Sequence, residues 1–182
     1  DKNGYEQATP HDYNKTFALV ESWVERFVTA TQPDKVKESM CFASPSERLK
    51  FFTRLSGEIG KRGVVDVLRK GYKFNGNTFD LYYPIPSQLN PSAKAAYKQN
   101  IFGVIRQVMY STQNTNEIDF VVFINGLPLA TFELKNNYTG QTYENAIKQY
   151  QTERDSKDLL LQKKRCAVHF AVDDQQVWMC TA

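Results

Sequence analysis

The sequence predicts a mixed α/β domain in which helices dominate the first third of the chain and strands the rest. Three observations predict it: a helix-spaced apolar face between Phe17 and Val28, a helix start signal at Ser44, and two β-branched and aromatic runs flanking Asn125-Gly126. With 182 residues, 41% of them hydrophobic and 13% aromatic, the chain is long enough to bury one substantial core. That composition excludes a disordered tail, a collagen-like fibre and a disulfide-stapled mini-protein.

Residues 1–12 are polar and read as a loose lead-in whose last residue, Asp12, is positioned to cap a helix. From Tyr13 the residues Phe17, Val20, Trp23, Val24, Phe27 and Val28 recur at three- and four-residue spacing, one face of an amphipathic helix. Ser44, Pro45 and Glu47 form a capping box and open a second helix through Leu49, Phe51, Phe52 and Leu55. Gly57, Gly60 and Gly63 punctuate the next stretch, the short Val64–Leu68 run is ambiguous, and Gly71 ends it. A strand is predicted from Phe79 to Tyr83, then a proline turn region through Pro84, Pro86 and Pro91, then a helix from Ser92 to about Asn100. Phe102 to Tyr110 reads as a strand, and Ile118–Ile124 and Leu127–Leu134 as a hairpin on the Asn-Gly turn. A helix from Thr142 to about Asp155 and extended runs at 166–172 and 177–181 complete the pattern, with no internal repeat.

The formal charge is only +3, but residues 47–73 carry eight basic and three acidic side chains, a local +5 that an anionic ligand can use. Cys41, Cys166 and Cys180 are odd in number and far apart, and only His11 and His169 accompany them. The pattern suits neither a disulfide framework nor a zinc site, and it places the chain in a reducing cytoplasm. No run approaches the ~20 apolar residues of a membrane span, and no signal-peptide core is visible, so no membrane partner is expected.

Glu133-Leu134-Lys135 closes the second hairpin strand. Strand side chains alternate, so Glu133 and Lys135 share one face, and Leu134 is expected to enter the core on the other. Asp119 is the one charged residue inside Ile118–Ile124, and a carboxylate there needs a counter-charge. A divalent cation shared with Glu133 supplies one, but only if the hairpin register changes. A regular two-residue turn pairs positions whose numbers add to 251, which puts Asp119 and Glu133 on opposite faces. A bulge or a longer loop shifts the sum to 252 and brings them to one face, and such a device is predicted here.

Asp119, thirteen intervening residues and Glu133-Leu134-Lys135 resemble the PD-(D/E)xK nuclease core. The surroundings resemble the amino-terminal domain of the R subunit of type I restriction enzymes. The similar segments are residues 100–110, Glu117 to Leu129, Phe132 to Asn136, Ala146-Ile-Lys-Gln-Tyr150 and Val168 to Asp173. The resemblance is strong from about Lys70 onward and faint before it. It implies a PD-(D/E)xK restriction-endonuclease-like core, a mixed β-sheet flanked by helices. It also implies Mg²⁺-dependent (or Mn²⁺-dependent) cleavage of double-stranded DNA, with Asp119, Glu133 and the Leu134 backbone carbonyl holding the ion and Lys135 orienting water or stabilising phosphate charge. The implied domain boundaries are 1–182 as one endonuclease domain, with 1–70 a helical lead-in and 71–182 the nuclease core. The resemblance further implies that the chain is a fragment of a longer protein. ATP would be used only by motor domains beyond it, and methyltransferase and specificity subunits would be its partners. No Gly-x-x-x-x-Gly-Lys-Ser/Thr phosphate loop occurs in the 182 residues.

Nucleases of this type often carry Gln-x-x-x-Tyr on the helix after the core, and anchoring that pattern on Tyr150 puts Ala146 where the glutamine belongs. The supporting or DNA-contacting role therefore passes to Tyr150, with Gln149 and Arg154 as further candidates; packing of Ile147 and Tyr150 on the sheet is the competing reading. His169 reads as a structural histidine, and Trp23 and Trp178 as core aromatics. Arg48, Lys50, Arg54, Lys61 and Arg62 are candidate phosphate contacts, against the alternative of a solvated helix face. Two other functions stay open: a catalytically silent nuclease-like module that holds DNA or docks, and a stand-alone repair or resolvase nuclease.

Overall fold

A computed structural model describes residues 4–86, 90–136 and 140–181. Its frame is a six-stranded mixed sheet of Glu6–Ala8 (β1), Phe102–Met109 (β4), Glu117–Ile124 (β5), Leu127–Leu134 (β6), Val168–Val172 (β7) and Val177–Thr181 (β8), neighbours in that order. β1 runs parallel to β4 and β6 parallel to β7; the other neighbours are antiparallel. Parallel neighbours need a crossover, and Tyr143–Lys148 (α6) lies in the one between β6 and β7. The remaining helices are Glu21–Thr31 (α1), Pro33–Ser39 (α2), Pro45–Arg62 (α3), Val64–Lys70 (α4) and Pro91–Tyr97 (α5), and Tyr72–Phe74 (β2) and Asn77–Phe79 (β3) form a small hairpin.

α1 and α6 pack on one face of the sheet. Trp23 of α1 lies over Gly103 and meets the Phe123 ring edge-on at 5.9 Å, while α6 leads into Tyr150, which bonds Thr131 of β6. Phe51 of α3 gathers Phe42, Phe52, Tyr72, Phe74 and Phe79 around it with ring centroids 5.0–5.4 Å apart, fastening the small hairpin to the helical half. The opposite sheet face is more open: Phe120, Phe132 and Phe170 stack across three strands at 5.4 and 4.7 Å and stay half-buried.

Several local expectations hold. The Ser44 hydroxyl accepts from the Glu47 N–H at 3.2 Å, although the Glu47 carboxylate turns to Lys50 at 2.6 Å and does not close the box. Asn125 at φ 49° and Gly126 at φ 85° make the hairpin turn, and the buried Asn125 amide ties Ile101 N–H, the Leu81 carbonyl and the Asn100 side chain together.

Other expectations are corrected. The lead-in is not wholly loose or helical, because Glu6–Ala8 adds an edge strand and Glu6 accepts from the Trp23 indole at 2.7 Å. The first long helix starts at Glu21, not Tyr13: the Asn14 side chain accepts from Thr16 N–H and donates to Glu21, competing with helical bonding. Phe17 and Val20 are nevertheless buried as predicted. Gly57 and Gly60 lie inside α3, and only Gly63 ends it. The predicted 79–83 strand reduces to its first residue, because Asn75-Gly76 turns Tyr72–Phe74 back onto Asn77–Phe79. Trp178 is 50% exposed and stacks on Tyr143, so it is no core residue. Part of the proline turn region (87–89) and the final Ala182 lie outside the described residues.

Candidate nuclease site

The hairpin β5–β6 begins in regular register, with Ile124 opposite Leu127 and Phe123 opposite Pro128. Between Val122 and Phe123 the register shifts, and Val122, Val121 and Phe120 then pair with Ala130, Thr131 and Phe132. The paired numbers add to 251 before the shift and 252 after it, a register that, continued one residue past the last pair, brings Asp119 level with Glu133. Beyond Phe120 and Phe132 the two strands separate. There Asp119 Oδ2 accepts from the Leu134 N–H at 2.8 Å, and the side chain takes the place of a ladder carbonyl. β4 and β5 also break alternation at this level: Ile105 and Val108 are both in the core, as are Ile118 and Val121, and Gln107, opposite Asp119, sits at φ 53°. Asp119 is thereby left half-buried at the fork.

Glu133 faces the covered side of the sheet and is 1% exposed, whereas Leu134 is 49% exposed on the open side. This reverses the expected placement of Leu134, because α6 covers the face that bears the carboxylate. Arg154 grips Glu133 Oε1 with two donors, Nε at 2.9 Å and Nη2 at 2.6 Å, and Oε2 is buried with no hydrogen-bond partner among the described residues. Burial pushes the Glu133 carboxyl up to about 7; the Arg154 guanidinium pulls it down and the Asp119 charge pushes it further up. Lys135 is half-buried and adds a second positive charge beside Glu133, while its backbone N–H donates to the Val172 carbonyl at 2.7 Å.

The helix after the core reaches this site through a π-turn at Gln149–Glu153. Tyr150 bonds Thr131 Oγ1 at 2.8 Å and Arg154 reaches Glu133, so residues four apart on the helical segment meet residues two apart on β6. The two spacings match because four helical rises and two strand rises both span about 6 Å. Gln149 Oε1 is buried without a partner among the described residues. Thr131, which the sequence pattern did not single out, is the hub: its hydroxyl also bonds His169 Nδ1 at 2.7 Å. No short motif marks Thr131; its position two residues before Glu133 on the same face was the available signal. His169 is buried and neutral-leaning, since burial lowers its pKa, in keeping with a structural histidine.

The five basic candidates lie on α3, and none bonds Asp119, Glu133 or Lys135 among the described residues. Arg48 is held by Glu21 and Glu25 and lies over the Phe52 ring; Arg62 bonds Asp66 at 2.7 Å and the Gly71 carbonyl at 3.0 Å. Lys50 pairs with Glu47 at 2.6 Å and Lys61 with Glu58 at 3.7 Å. Arg54 is exposed, with no carboxylate within ion-pair distance among the described residues. Glu47, Glu58 and Asp66 are already counted in the local +5, and only Glu21 and Glu25, which reach Arg48 from outside the stretch, offset a further part of it, a contact invisible in a linear count.

Arg154→Met is expected to leave Glu133 as a buried carboxyl without counter-charge. Its carboxyl already lies above the ordinary 4.5 and would rise further, so above that pH the folded chain keeps a proton that the unfolded chain has released. Stability therefore falls as pH rises from 4.5. Urea unfolding should show a loss relative to wild type that is larger near pH 8 than near pH 5 by up to about 1.4 kcal/mol, because the wild-type carboxyl, at about 7, already carries most of the linkage below that pH. Equal losses at both pH values would mean that packing, not charge, is what Arg154 contributes.

Among the described residues no helix is long and apolar enough to cross a membrane, and no group of three or more His, Cys, Asp or Glu side chains is placed to hold a metal. A comparison with curated proteins gives no match. The family described as "Type I restriction enzyme R protein N terminus" matches residues 64–182, well over half of the chain, and its fold is PD-(D/E)xK-like, in keeping with the mixed sheet and the Asp119–Glu133 fork. The chain therefore belongs to the family of type I restriction enzyme R subunit amino-terminal domains.

Proposed function

We propose that this chain is the nuclease module of a type I R subunit and hydrolyses phosphodiester bonds of double-stranded DNA with Mg²⁺ or Mn²⁺. The observation that carries the reading is the bulge-shifted register, whose continuation past Phe120 and Phe132 brings Asp119 level with Glu133, while one Glu133 oxygen remains buried and unpartnered among the described residues. The donor set fits a hard cation: both side chains offer carboxylate oxygens, and the ordinary preference of Mg²⁺ is for oxygen. The Leu134 N–H points at Asp119, and in a strand the carbonyl of the same residue points to the same edge, so the Leu134 carbonyl is available as a third oxygen. Asp119, Glu133 and the Leu134 carbonyl would hold the cation, which would supply polarisation of the scissile phosphate and a more acidic water.

The chain's own residues do the rest. Asp119 is held by the Leu134 N–H and Glu133 by Arg154, so both carboxylates are oriented before substrate arrives. Lys135, on the Glu133 face, places an ammonium where it orients water or meets charge gathering on the phosphate. Tyr150 positions the helix through Thr131. Arg54 is the exposed α3 cation available for a DNA phosphate without leaving a carboxylate among the described residues, and Arg48, Lys50, Lys61 and Arg62 would have to leave theirs first. In this reading residues 1–182 act as one endonuclease domain of a longer chain whose motor domains consume ATP, in a complex with methyltransferase and specificity subunits. A catalytically silent DNA-holding module is the second reading, favoured by the Arg154 charge that already balances Glu133.

Titration with Mn²⁺ separates the two. Wild type is expected to bind, and Asp119→Asn to bind at least roughly tenfold more weakly, with Mg²⁺-dependent cutting lost in parallel. Equal Mn²⁺ affinity in both would favour the silent module.

A further inference from the structure

Beside the carboxylates lies a cavity of about 370 Å³ that the cleavage chemistry does not use. Ile147 and Tyr150 wall it on the helical side, Ala171 and His169 form its β7 floor, and Trp178 and Cys180 of β8 close the far side. Its volume falls within the roughly 300–1,000 Å³ range of small-ligand sites, and it has the usual character of one: mainly apolar and aromatic walls with a few polar groups. His169 uses Nδ1 on Thr131, which leaves its other ring nitrogen as the one that a ligand in the cavity can meet. The Trp178 ring stacks on Tyr143 with an 8° interplanar angle at 5.5 Å, so a flat aromatic surface is already held in place at this edge.

Position gives the cavity its meaning. Ala171 is the register partner of Glu133, and Trp178 is the register partner of Ala171. The floor therefore starts one strand away, about 4.8 Å, from Glu133, which is proposed to hold the cation that meets the scissile phosphate, and reaches Trp178 about 4.8 Å further on. A base attached to a nucleotide whose phosphate meets a cation held at Glu133 lies at that range. Resting on the phosphodiester reading above, we infer that this cavity is a nucleobase subsite: it takes an unstacked base of the nucleotide next to the cut, between Tyr150, His169 and Trp178. Bases unstacked from a strand are held in this manner, by aromatic faces and a few hydrogen bonds.

The test uses the 182-residue chain with 2-aminopurine deoxynucleoside monophosphate, whose emission is quenched on stacking, and with 2-aminopurine placed in single-stranded and duplex oligonucleotides. Saturable quenching is expected, with no competition from deoxyribose 5-phosphate. Trp178→Ala, at a half-exposed position, and Cys180→Phe, which fills the cavity, should each weaken it roughly tenfold, the scale of one base–aromatic stack. Quenching by the monophosphate but by neither oligonucleotide would make the subsite one for free nucleotides and overturn its place in cutting. Competition by the sugar phosphate, or unchanged binding in both variants, would overturn the subsite altogether. Loss of the subsite with Asp119-dependent Mn²⁺ binding intact leaves the nuclease reading standing; the opposite pattern removes the nuclease reading and keeps the cavity.

Discussion

Lys135→Ala in the assembled enzyme is expected to lower DNA cleavage by roughly 10²- to 10³-fold while ATP hydrolysis continues. The size reflects the loss of a single positive group at the position where negative charge accumulates. The fold should be spared: Lys135 is half-buried, its structural bond to Val172 is made by the backbone, and the buried charge at the fork is already balanced by Arg154. Surface changes of this kind move stability by about 0.5 kcal/mol or less. Lys135→Arg should restore little, because a planar fork replaces a compact ammonium. Cleavage assays on linear and circular substrates, with circular dichroism as the control for folding, decide the matter; full cutting by Lys135→Ala would refute the assigned role.

Gly103→Ala is expected to cost about 3 kcal/mol, at the upper end for overpacking, and to lower the melting temperature by roughly 10 °C. A Cβ on residue 103 would land on the six-membered ring of Trp23. That indole cannot retreat freely, since its N–H is bonded to Glu6 and its ring abuts Phe123. Because Glu6 belongs to β1 and Trp23 to α1, displacement would loosen the strand edge and the helix together. Adding Trp23→Leu should recover part of the loss, which thermal unfolding of the single and double variants would reveal. No effect of Gly103→Ala would mean that α1 does not sit on β4 as described.

Much of the site is legible without the fold. Asp119 stands out as a lone charge in an apolar strand, Glu133 and Lys135 as neighbours on one face, and the need for a register shift comes from counting alone. The shift lies between Val122 and Phe123. Arg154 is undervalued by the sequence, because nineteen positions separate it from Lys135 and only the π-turn at Gln149–Glu153 brings it under Glu133. Thr131 carries no signal of its own, and its partners Tyr150 and His169 lie on other elements. The helix expected from Tyr13 fails for a local reason: periodicity reports which residues face the core, and Phe17 and Val20 do so from a turn stabilised by Asn14.

Period, capping and turn chemistry are local properties, and they suffice to predict a mixed α/β fold and the hairpin and to single out three charged residues as candidates. Which sheet face is covered, whether Leu134 or Glu133 is buried, and which cation answers Glu133 depend on where α6 comes to lie. Those outcomes are set by packing between segments distant in the chain, where burial makes each charge demand a partner; no window of neighbouring residues contains that demand. The same applies to the basic stretch at 47–73. Its excess charge was countable from the letters, but the carboxylates of Glu21 and Glu25 that quench part of it arrive only when α1 packs beside α3.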